Sequence, residues 1–149
     1  MPIPYLPFTD AELFNGVNLV LPAWGLLLVA PRWRYTQHFV TATALAFAAF
    51  YIATIIPQLT SGGLDFGELF SYDGVVKAFS TKSVVLSAWL HYVALDLWTG
   101  NWEVVDAQKR GISHLCVVPC VALTFLFGPT GLLAYFLVRY STGSKRKVQ

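Results

Sequence analysis

Residues 87–100 read S-A-W-L-H-Y-V-A-L-D-L-W-T-G. The stretch is apolar enough to enter a bilayer, yet it carries His91 and Asp96 in its inner portion, where an ionisable group without a partner costs about 3 kcal/mol. Taken as a regular helix, it puts Trp89, Tyr92, Asp96 and Thr99 on one stripe, and Ser87, His91 and Trp98 on another roughly 140° away. His91 and Asp96 therefore face different neighbours.

The rest of the chain has the same character. Of 149 residues 56% are hydrophobic and 12% charged, with a mean hydropathy of +0.57, above what a water-facing globule of this size carries. This composition predicts an all-α integral membrane protein, a four-helix bundle forming a single domain over residues 1–149. The spans fall at about 13–31, 39–57, 83–99 and 115–138, each near the ~20 residues that a hydrocarbon core requires. The net charge of +2 comes from ten basic and eight acidic residues lying mostly between the apolar runs or at the C-terminus, so no nucleic-acid partner is expected. Lys145, Arg146 and Lys147 read as an anchor at the lipid surface.

In the first span Asn15 and Asn18 share a face, and Pro22 removes the hydrogen bond to the Asn18 carbonyl, which predicts a local opening. Thr9 or Asp10 caps the preceding turn, after a lead-in with Pro2, Pro4 and Pro7. That lead-in has neither the basic region of a signal peptide nor the serine and arginine of a transit peptide. The second span is rich in alanine and threonine and reads as a packing helix. Residues 58–82 mix Phe66, Phe70 and Phe79 with Asp65, Glu68 and Lys77, so an amphipathic loop with one or two short interfacial helices is expected between helices 2 and 3. Residues 101–113 read as a short polar turn. The fourth span is interrupted by Pro119 and again at Gly128, Pro129 and Gly131, and broken helices persist in membranes where freed backbone groups find partners inside the protein. Four spans place Lys77, Lys82, Arg139, Lys145, Arg146 and Lys147 on one side, against Arg32, Arg34, Lys109 and Arg110 on the other, too even a division to orient the chain.

The residues leave several chemistries open. His91 and Asp96 can do acid-base work in a low-dielectric cavity, or they can make interhelical hydrogen bonds, with Arg110 as an ion-pair partner for Asp96. Asn15 and Asn18 can pack against a neighbouring helix or touch a ligand. His38, His91 and His114 are potential axial ligands for a pigment metal. Cys116 and Cys120, four apart on a helix, read as small buried residues without a disulfide; with His114 they match no common zinc spacing, and no metal is expected.

Three runs add a resemblance: D-G-V-V-K-A-F-S-T-K-S-V-V-L-S-A-W-L-H-Y-V-A-L-D-L at 73–97, R-G-I-S-H-L-C at 110–116 and F-G-P-T-G-L-L-A-Y-F-L at 127–137. Together they resemble the plant abscisic-acid-deficient-four-like family, most specifically in the W-x-H-x-x-x-x-D of Trp89, His91 and Asp96. The resemblance implies a protein of plastid or photosynthetic bacterial membranes, thylakoid or envelope, that handles xanthophylls. It implies as activity the isomerisation of violaxanthin to neoxanthin, with His91 and Asp96 as acid and base and no cofactor. Trp89, Tyr92, Asn15, Asn18 and His114 are the expected substrate contacts. A non-catalytic pigment-binding or scaffold subunit of a photosynthetic complex is the alternative. The expected partners are a carotenoid or other pigment, membrane lipid, and a second copy of the chain or a larger complex.

Overall fold

Thr9 opens the described chain with a capping box: its hydroxyl accepts from the Glu12 N–H (3.3 Å), and the Glu12 carboxylate accepts from the Thr9 N–H (2.8 Å). The computed structural model describes residues 9–62 and 64–143. The proline-rich lead-in, Gly63 and the cluster of Lys145, Arg146 and Lys147 lie outside the described residues. Helix α1 (Asp10–Gly16) tightens into a 3-10 turn (Val17–Val20), and the chain resumes as α2 (Leu21–Val29) with Pro22 in its first turn. The opening thus falls where Pro22 withholds its donor from Asn18.

Helix α3 (Thr36–Thr60) runs three residues past Pro57, so Gln58 is helical and buried rather than part of a loop. A 3-10 turn (Glu68–Phe70) and α4 (Tyr72–Phe79) follow, supplying the short helices expected there. Ser71 caps α4 by accepting from the Gly74 N–H, and Lys77 pairs with Glu68 at 2.8 Å. Phe70, Tyr72 and Phe79 stay exposed.

The polar turn expected at 101–113 is not a turn. Helix α5 runs unbroken from Lys82 to Arg110, and Gly111, at φ +66°, ends it. Residues 101–110 hold neither proline nor glycine, so nothing in them stops a helix. The expected fourth span departs further. It is two helices, α6 (His114–Phe127) and α7 (Pro129–Gly143), separated by Gly128 at φ +43°. Pro119 sits inside α6 without ending it. Gly131 lies directly on the α6 backbone at Cys120 and Thr124, where a side chain would collide, and α7 lies back along α6. Each arm is about 21 Å long at 1.5 Å per residue, short of a ~30 Å hydrocarbon core.

All described residues outside turns are helical. Two segments, Ala11–Val29 and Thr36–Thr60, are long and apolar enough to cross a membrane; α5 is longer than either but less apolar. The chain divides into two compact units, the first holding the residues up to Leu19 with Leu45–Ala94, the second Val20–Ala44 with the residues from Leu95 on. In the first, α3 and α5 are held by a buried polar cluster. The Gln58 amide nitrogen lies 2.9 Å from the carbonyls of Thr54 and Ser83 and 2.8 Å from the Ser87 hydroxyl, which in turn reaches the Thr54 hydroxyl at 3.0 Å. Gln58→Ala is expected to cost about 2 kcal/mol, because it strips donors from buried acceptors; denaturant unfolding in micelles measures it.

Candidate functional site

The first unit holds an aromatic face. Trp89 and Tyr92, on one stripe of α5, stack at 5.6 Å, and Phe14 adds a third ring 6.1 Å from Trp89. His91 is exposed and turned away from that stack, its ring edge-on to Tyr51 of α3 at 5.1 Å. Asn15 and Asn18 are exposed, and among the described residues their side chains make no hydrogen bond. Of the expected site residues, the structure brings together Trp89 and Tyr92.

In the second unit three acids of α5 mark where the α6–α7 hairpin meets that helix. Asp96 lies at the hairpin tip, where a Cβ on Gly128 would stand 2.8 Å from Asp96 Oδ1. Glu103 lies beside α6, its Oε1 2.8 Å from the Thr124 hydroxyl. Asp106 lies at the open end, where Tyr135 of α7 donates to its Oδ2 at 2.7 Å and Arg139 approaches at 3.2 Å. Arg110, the partner considered for Asp96, instead pairs with Asp106 at 2.8 Å. Fourteen residues of unbroken helix put it about 21 Å from Asp96 along the axis.

Asp96, Gly100 and Glu103 stand at i, i+4 and i+7, one face of α5. Gly100 lets the Trp24 ring down onto that face, since a Cβ there would come within 2.6 Å of the indole. Trp24 packs in turn on Phe125 of α6 at 5.3 Å. His114 joins α6 to α2, its Nε2 donating to the Leu28 carbonyl at 2.9 Å, which gives this expected ligand contact a structural partner. Cys120 is buried as expected, whereas Cys116 is exposed. Glu103 was hidden in the sequence by reading 101–113 as a turn. The seven-residue spacing from Asp96 places it on the same helix face, but only once 101–110 is known to be helical.

Asp106→Asn is expected to cost about 2 kcal/mol, because it weakens the contacts with Tyr135, Arg110 and Arg139; thermal unfolding measures it.

An all-helical protein, with two segments fit to cross a membrane and a file of carboxyl groups along a helical hairpin, is what the fold and site define. Within that class the chain belongs to the ABA DEFICIENT 4-like family, whose model matches residues 12–135. Among curated proteins it is similar to Protein ABA DEFICIENT 4, a chloroplastic protein of Arabidopsis thaliana, with 24% identity over 131 residues. The match covers 83% of this chain and 58% of that protein, so the chain spans less than two thirds of its relative's length. No solved structure matches the chain.

Proposed function

We propose that this is a xanthophyll-handling protein of a plastid or photosynthetic bacterial membrane, and that it isomerises violaxanthin to neoxanthin. In this reading α1–α2, α3 and α5 cross the bilayer and the α6–α7 hairpin enters it from one side. A base removes the proton from the polyene carbon next to the ring, and the electrons of that C–H bond form the second double bond of an allene. The adjacent epoxide C–O bond breaks, and its oxygen takes a proton to become a tertiary alcohol. One proton leaves and one returns, so no oxidant or reductant is consumed.

Membership of the family and the chloroplastic relative support the setting. The observation that carries the chemistry is Asp96, inside an apolar helix and against the glycine at which the hairpin turns. His91 is the second group that the sequence pattern offers, and Trp89 with Tyr92 supplies a flat apolar surface for a polyene. Expression in a violaxanthin-accumulating host, followed by chromatography of the pigments, is expected to show neoxanthin. An unchanged extract from cells that accumulate the full-length protein would refute the isomerase reading. Stoichiometric carotenoid on the purified protein, without conversion, would instead establish the pigment-binding subunit.

A further inference from the structure

We infer that Glu103 is held as a neutral carboxylic acid and is the proton-donating group of the second unit. The comparison with Asp106, three residues on, carries this. The fold gives Asp106 two guanidiniums and a phenol, the surroundings of an ionised carboxylate. To Glu103, which is wholly buried, it gives one hydroxyl. Among the described residues no ion pair reaches it, and its Oε2 has no hydrogen-bond partner. A carboxylate left in that state would cost many kcal/mol, and such a group takes up a proton instead.

The hydroxyl itself points the same way. Thr124 Oγ1 lies 2.8 Å from Glu103 Oε1 and 3.1 Å from the Cys120 carbonyl. It has one proton to give and two lone pairs to receive. With Glu103 protonated both contacts are satisfied: Glu103 donates to Thr124, and Thr124 donates to Cys120. The titratable groups around it add no counter-charge, since Asp96 shares its helix face and Cys120 lies on α6, and neither is a cation.

Asp96 stands seven residues before Glu103 on the same face of α5, about 10 Å away along the axis. The two carboxyls sit in different surroundings, Asp96 half-buried at a helix break and Glu103 sealed against α6, which is how one site keeps an acid and a base together. This assigns the returning proton to Glu103 in place of His91, and it rests on the isomerase reading above.

The chain's glutamates are Glu12, Glu68 and Glu103, the first two exposed. In full-length protein with carboxyl-labelled glutamate, infrared spectroscopy at neutral pH is expected to show an isotope-shifted carbonyl band of a protonated acid. The band should vanish in Glu103→Gln and move to higher frequency in Thr124→Val. Absence of the band in the wild type would overturn the neutral acid. In the violaxanthin-accumulating host, Glu103→Gln, which still donates to Thr124, is expected to lower neoxanthin at least a hundredfold at unchanged protein level. Product at the wild-type level from that variant would overturn the donor role. A wild type that makes no neoxanthin would sink the isomerase reading and with it the donor role, while the band would still decide the protonation of Glu103.

Discussion

Gly131→Ala is expected to lower the unfolding free energy by about 3 kcal/mol, the upper part of the usual range for overpacking. The added methyl has nowhere to go, because it would meet the Thr124 N–H and hydroxyl and the Cys120 carbonyl, all fixed parts of α6. To admit it, α7 must move off α6, which pulls on the contacts of Tyr135 and Arg139 with Asp106. Gly25→Ala is the control. Nothing lies within 4 Å of a Cβ at Gly25, and alanine is the better helix former by about 1 kcal/mol. Unfolding of both variants in mixed micelles should separate them; equal stability would mean that α7 does not pack on α6 as described.

The second large effect is on chemistry. Asp96→Ala is expected to reduce conversion of violaxanthin at least a hundredfold, the ordinary contribution of a positioned acid or base. His91→Ala separates two assignments. If His91 and Asp96 are the pair, both variants lose product. If Glu103 holds the proton, His91→Ala keeps it, because that ring stands exposed against Tyr51. Pigment profiles from cells with matched protein levels decide this. Full activity in Asp96→Ala would remove the carboxylate from the mechanism altogether.

Much of the fold can be read from local chemistry. Thr9 and Glu12 announce a capping box, Pro22 announces the opening beside Asn18, and the Trp89–Tyr92 stack follows from a spacing of three. Two features resist such reading. Residues 115–138 have the length and apolarity of one crossing helix, and only the backbone at Gly128 turns them into a hairpin. Residues 101–110 are polar enough to pass for a turn, yet several of their polar groups pair with other helices. Asp106, Glu103 and Asn101 find Tyr135, Thr124 and Thr41, partners that come from other helices and leave no mark at fixed spacing. Glu103 was thus visible as a residue but not as a site.

The turn at Gly128 also bears on the parity of the proposed crossings. Arg139 returns to Asp106 on the last turns of α5, so the chain leaves the hairpin on the side where it entered. In the arrangement proposed above, with α1–α2, α3 and α5 crossing, the number is odd, and Arg139 joins the connections that carry Arg32, Arg34, Lys109 and Arg110. Of the seven basic residues among those described, Lys77 and Lys82 are left on the opposite side. A charge division that is nearly even for four crossings becomes five against two for the three crossings proposed, and on that reading the hairpin's open end is expected on the stromal or cytoplasmic face.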